Sequence, residues 1–165
     1  MITTSSPFRV PRMWAARATC TSVTILRMAH PDFQELVDAA MPFAQQMLEK
    51  YVEFFPFAFA MNVSGAVVAV AAYDGNERPS ALETIDLLYE SLRRSDDLRA
   101  LAVCMDIRTI APGETVRTDA ICVQLEHRDA DPIHVILPYA KRWLRKPRYG
   151  EIFATAGAAR VFGLE

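Results

Sequence analysis

The stretch from Leu98 to Tyr139 constrains the fold more than any other part of the chain. It reads as three consecutive strands in which apolar and polar residues alternate. A period of two is the mark of extended backbone with one face buried. Leu101, Val103, Met105 and Ile107 share a face of the first strand. Ile121, Val123 and Leu125 do so in the second, and Ile133, Val135, Leu137 and Tyr139 in the third. Turns at Pro112-Gly113 and at Arg128 to Asp131 separate them. One register puts all these apolar residues on one face. It sets Met105 against Ile121, Val103 against Val123 and Leu101 against Leu125, then Leu125 against Val135 and Val123 against Leu137. A one-residue slip would turn a whole apolar row over.

The remaining elements follow from other local patterns. From Asp32 to Phe55, apolar residues recur at helical spacing from Phe33 to Tyr51. Asp32 is the expected cap, and Pro42 is expected to kink or split the helix, leaving 42–53 as its firmer half. Phe57–Asn62 and Ala66–Tyr73 read as a hairpin turning at Val63-Ser64-Gly65. The second of these strands is apolar on both faces, which predicts a central place in the sheet. Ser80 and Glu83 form a capping box for a helix ending near Arg94. A last strand is expected from Tyr149 to Thr155. The fold class is therefore α+β: an antiparallel sheet of about five to six strands with two main helices, in the order α-β-β-α-β-β-β-β.

The chain of 165 residues, 52% apolar and 23% charged, is the size of one globular domain. Residues 28–165 form that domain. Residues 1–27 are rich in Ser, Thr and Arg, lack periodicity, and read as a disordered or misassigned extension, with Met28 the expected start. No apolar run approaches the roughly 18–20 residues of a membrane helix, so no membrane association is expected. The net charge of −2 conceals an asymmetry: four of the 18 basic residues precede Asp32, the first acid, leaving 14 against 20 acidic residues. An acidic surface argues against nucleic-acid binding, which depends on many phosphate contacts. Cys20, Cys104 and Cys122 form no C-x-x-C, so reduced thiols and a cytoplasmic location are expected.

Two places stand out as candidate sites. The strand register places Asp106, Cys122, Gln124 and Glu126 on the second sheet face, with His134 opposite Glu126. An adjacent Glu–His pair can serve as a general base with its orienting partner, so Glu126, His134 and Asp106 are the catalytic candidates. A solvated cross-strand ion pair accounts for the same residues. The register also sets Cys104 opposite Cys122, as buried free thiols or a redox pair. Ala100, Ala102 and Ala120 suggest a face covered by a helix or a partner. The second place is the basic octet Lys141-Arg142-Trp143-Leu144-Arg145-Lys146-Pro147-Arg148, which reads as a loop. Trp143 among Lys141, Arg142, Arg145 and Lys146 can anchor in the pocket of an acidic protein or stack on a nucleic-acid base, and a solvated loop balancing an acidic protein accounts for the same residues. The three histidines lack metal-binding spacing, and no glycine-rich phosphate loop is present, so neither a metal nor a nucleotide cofactor is expected.

Several segments together, Tyr51 to Ala58, Ala71 to Pro79, Thr118 to Asp129, Ile136 to Tyr139 and Tyr149 to Ala154, give the chain a resemblance to a group of small uncharacterised bacterial α+β proteins. It covers about residues 43–163, implies a bacterial protein and transfers no catalytic residue. The element order also resembles roadblock- and profilin-type binding modules, a likeness of fold alone. The function expected from the sequence is a non-catalytic protein–protein interaction or regulatory module. The alternative is a small enzyme built on Glu126 and His134. Self-association through an exposed sheet edge or the alanine-rich face is a further expectation.

Overall fold

A computed structural model describes residues 30–72, 75 and 79–163. The N-terminal extension, Cys20 and most of the loop from Tyr73 to Arg78 lie outside the described residues. The elements are α1 (Pro31–Tyr51), β1 (Phe57–Asn62), β2 (Val67–Val70), α2 (Ala81–Arg93), β3 (Leu98–Thr109), β4 (Thr118–His127), β5 (Ala130–Arg142), β6 (Arg145–Tyr149) and β7 (Phe153–Ala156). The expected α+β class and order hold, with β6 added from the basic octet. The strands pair antiparallel in the order β2-β1-β3-β4-β5-β6, and β7 also pairs with β5.

Both faces of the sheet are covered, and this overturns the predicted β3–β4 register. The two strands pair one residue further along: Met105 faces Cys122, Val103 faces Gln124 and Leu101 faces Glu126. Leu101, Val103 and Met105 therefore lie opposite in face to Ile121, Val123 and Leu125. The cause is packing on two sides. Ala100, Ala102 and Cys104 lie under α1, where their small side chains make room for Phe33, Leu36, Val37, Ala40 and Met41. Leu101, Val103 and Met105 meet Leu88, Tyr89 and Leu92 of α2 on the other side. Sizes interleave across β1 as well. Phe57 and Phe59 stand beside Cys104 and Ala102, while Ala58 and Ala60 stand beside Val103 and Leu101. Ala120 belongs to the α2 face, so the three alanines do not form one patch, and α1 itself covers Ala100 and Ala102.

Between β4 and β5 the observed pairs are Val123 with Val135 and Ile121 with Leu137, two residues from the predicted register. An even shift keeps each side chain on its face. Cys104 faces Val123, and Cys104 and Cys122 lie in cores on opposite sides of the sheet, so they cannot pair. Burial pushes the Cys122 thiol up to about 12 and Cys104 well above its ordinary value. Both stay protonated and unreactive at neutral pH.

Three local expectations change. The cap of α1 is His30, whose Nδ1 accepts the Asp32 backbone N–H at 3.2 Å. Helix α1 runs through Pro42 as one element, with Phe33, Leu36, Val37 and Ala40 buried before it and Ala44 and Leu48 after it. Burying each such Leu or Phe is worth about 1.5–3 kcal/mol, which exceeds in sum the roughly 3 kcal/mol cost of an interior proline. Strand β2 is an edge, not a central strand. Its valines are apolar on both faces because each face carries a core: Val67 joins one, Val68 and Val70 the other. The Ser80–Glu83 capping box forms as expected.

Leu125 is fully buried on the α1 face of β4. Leu125→Ala is expected to lower stability by about 3 kcal/mol, through lost transfer energy and a cavity in a tightly packed layer. Urea unfolding checks this by a lower midpoint with an unchanged slope.

Candidate functional site

The predicted catalytic trio does not assemble. Asp106 lies on the α1 face, where it accepts the Tyr139 hydroxyl on both carboxylate oxygens at 2.9 Å. Burial raises its pKa, partly offset by that hydrogen bond. Glu126 and His134 are on the α2 face, and His134 pairs with Gln124 across the ladder rather than with Glu126. Burial lowers the His134 pKa, and the Glu126 charge opposes this.

The Glu126 carboxylate is 2% exposed and has another task. Its Oε1 accepts the backbone N–H of Arg160 at 2.9 Å; Oε2 accepts those of Val161 at 2.8 Å and Phe162 at 3.2 Å. Three backbone donors converging on one carboxylate make a clamp. The clamp seats the C-terminal segment on the α2 side of the sheet, where Val161 and Phe162 pack against the core. Arg160 completes it, with its guanidinium 3.9 Å from the Tyr89 ring centroid and 3.1 Å from Asp86. Tyr89 donates to Gln124 beneath. Gly157 permits the approach: a Cβ there would sit 3.0 Å from the Pro132 backbone. A cleft of about 300 Å³ opens beside the segment, lined by Arg93, Ser95, Asp96, Arg128, Val161 and Phe162.

A second polar cluster, which the sequence did not reveal, pins the start of α1. Asp32 is 6% exposed. Arg99 approaches both its oxygens, Nη2 to Oδ1 at 2.9 Å and Nε to Oδ2 at 2.8 Å. The His127 Nε2 lies 3.0 Å from Oδ2, and His30 stacks on the His127 ring at 3.7 Å. The side chains of His30, Asp32 and His127 are close enough to share a metal ion. Their donors are committed elsewhere. The Asp129 backbone N–H donates to His127 Nδ1 at 2.9 Å, so the proton of the neutral ring sits on Nε2 and points at Asp32. A cation here would also face the Arg99 guanidinium. The arrangement suits an ion-pair lock. Burial pushes the Asp32 carboxyl up, but hydrogen bonds from Arg99 and His127 and the Arg99 charge outweigh it and hold it below 3.8.

The third place is the basic octet. It is the end of one strand, a turn and the strand that returns. Arg142 of β5 pairs with Arg145 of β6, leaving Trp143 and Leu144 as a two-residue turn. Both turn side chains are 89% exposed. Leu144 has φ +56°, a left-handed conformation that costs a non-glycine residue about 1–2 kcal/mol. Two-residue hairpins ordinarily use Asn, Asp or Gly there. Lys141, Arg142, Arg145 and Lys146 are all exposed, and Lys146 reaches Glu49 of α1 at 2.8 Å. Pro147 and the charges of β6 also protect an open sheet edge from pairing with another chain. Edge protection explains the cations and the proline, and it leaves the tryptophan and leucine unexplained.

Comparison with protein-family models, curated proteins and solved structures finds no match for this chain.

Two outcomes test the polar clusters. Asp32→Asn is expected to cost about 3 kcal/mol at pH 7, the low end for a broken buried pair because Arg99 keeps a third of its side chain in water. The folded pKa of Asp32 is depressed, so its contribution is complete above 3.8 and fades as pH falls through the lower folded value. Urea titrations across pH should show wild type and variant converging in acid. Glu126→Ala leaves three backbone donors without their acceptor. Hydrogen exchange should then accelerate at Arg160, Val161 and Phe162, with a stability loss of about 2 kcal/mol.

Proposed function

We propose that the protein is a non-catalytic protein–protein interaction module that docks through the β5–β6 hairpin, with Trp143 as anchor and Lys141, Arg142, Arg145 and Lys146 as its charged surround. The observation that carries this reading is the turn itself. A chain selected for stability alone would place small polar residues there and would not hold a leucine in left-handed backbone. This turn gives up stability at Leu144 and exposes two large apolar side chains. Local cost without local gain is the pattern of a contact site. Trp and Arg are also the residue types that concentrate binding energy in protein interfaces.

The non-catalytic part of the reading is supported by the engagement of Glu126 with the C-terminal segment, which removes its carboxylate from the role of base. A regulatory role in a bacterial cytosol, where the buried Cys104 and Cys122 thiols stay reduced, fits the same picture.

The combined change Trp143→Ser with Leu144→Gly separates binding from folding. Glycine relieves the positive φ, so thermal stability should hold or rise by about 1 kcal/mol. Retention of a stoichiometric protein partner on the immobilised chain should fall at least tenfold. Unchanged retention by the double variant refutes the hairpin as the docking element.

A further inference from the structure

The hairpin stands among neighbours of the same character. Besides the chain leaving β2 at Val70, the antiparallel register brings three connections to one end of the sheet: 52–56 ahead of β1, 110–117 between β3 and β4, and the turn at 143–144. Phe57 pairs with Cys104, Thr109 with Thr118, and Arg142 with Arg145, so all three open in the same direction. Six of the ten large apolar side chains exposed among the described residues sit in these connections: Val52, Phe55, Ile110, Val116, Trp143 and Leu144. The two non-glycine residues with positive φ among the described residues are there too, Val52 at +67° and Leu144 at +56°. A β-branched residue in that region is an outlier, and a helix end normally places glycine there. Both strained residues are large, apolar and exposed, at 61% and 89%.

The three connections and the residues flanking them carry an excess of unpaired basic charge. Arg117, Lys141, Arg142 and Arg145 make no salt bridge among the described residues, while Lys146 pairs with Glu49 and Arg108 with Asp119. The acids in the three connections are Glu53 and Glu114. Elsewhere acidic residues outnumber basic ones. We infer that the three connections form one docking surface, and that its occupant is a protein presenting an apolar patch rimmed by carboxylates. This rests on the hairpin reading and extends it to a composite surface with a defined complement.

Three observations select that occupant. Aromatic residues with arginine are the composition of a protein interface core. Glu53 and Glu114 lie between apolar tips, where an anionic bilayer would repel them. A second copy meeting this end across a two-fold axis would bring the same unpaired cations together.

The test places a photo-crosslinking residue at Phe55, Val116 or Leu144, one at a time, in the full chain expressed in the cells of origin. Val63, 60% exposed in the β1–β2 turn at the opposite end, serves as control. The set is repeated with Lys141→Glu, Arg142→Glu and Arg145→Glu combined, and each chain is first shown to melt cooperatively. The expected result is one heterologous adduct shared by all three positions and absent at Val63. It should map to a segment with Asp or Glu flanking apolar residues. Its yield should fall about tenfold or more in the charge-reversed chain at every position, since like charges across an interface are strongly unfavourable. An adduct from Leu144 alone overturns the composite surface and leaves the hairpin reading standing. Silence at all three positions overturns both. Adducts of twice the chain mass, adducts to lipid, a partner segment without carboxylates, or a yield indifferent to charge reversal each overturn the assigned occupant.

Discussion

The β3–β4 ladder, buried on both faces from Ala100 to Met105, is the constraint on which the rest of the structure depends. It runs from Ala100 opposite His127 to Thr109 opposite Thr118. Because both faces are covered, each face must accommodate a different helix. One face is small on β3 and large on its neighbours, which lets α1 lie close. The other is large on β3 and small on β1, which meets the apolar stripe of α2. Changing the register by one residue would put Leu101, Val103 and Met105 under α1 beside Phe57 and Phe59, and a close-packed interior has no space for that.

Polar chemistry then divides the molecule into two ends. At the β3 amino-terminal end, Asp32, Arg99, His127 and His30 lock α1 to β3 and β4. Arg128 fixes the neighbouring strands through the carbonyls of Leu98 and Asp96. Close by, Glu126 holds the C-terminal segment by its backbone. Each buried charge there has its partners, as burial demands. The opposite end has no comparable lock among the described residues. It carries positive-φ backbone at Val52 and Leu144 and six of the ten large apolar side chains exposed among the described residues. A rigid scaffold with polar fastening at one end can present binding loops at the other.

How much of this was legible in the sequence follows from the physics of each signal. Strand positions were readable because alternation and turn residues are local, and the Ser80–Glu83 cap is a four-residue motif. The β3–β4 register was not readable. Alternation shows that two residues share a face but not which face, and the assumption of a single buried face chose wrongly. Asp32 looked like a helix cap because its partners Arg99 and His127 are 67 and 95 residues away. Glu126 looked like a free base because the backbone donors that satisfy it leave no trace in side-chain identity. Strand β6 was hidden by charge and proline, which oppose a central strand but suit an edge. Trp143 was visible as a candidate anchor among cations, yet Val52, Phe55, Ile110 and Val116 come to the same end of the sheet only through its topology.

The contact surface proposed at this end of the molecule is open to direct measurement. The most direct measurement is the indole N–H resonance of Trp143 in isotopically labelled protein, recorded in buffer and in extract of the source cells. The account predicts that the resonance shifts or broadens in extract, together with amides of 52–56 and 110–117, while amides around Val63 stay as they are in buffer. A Trp143 resonance equally sharp and unmoved in both would contradict it.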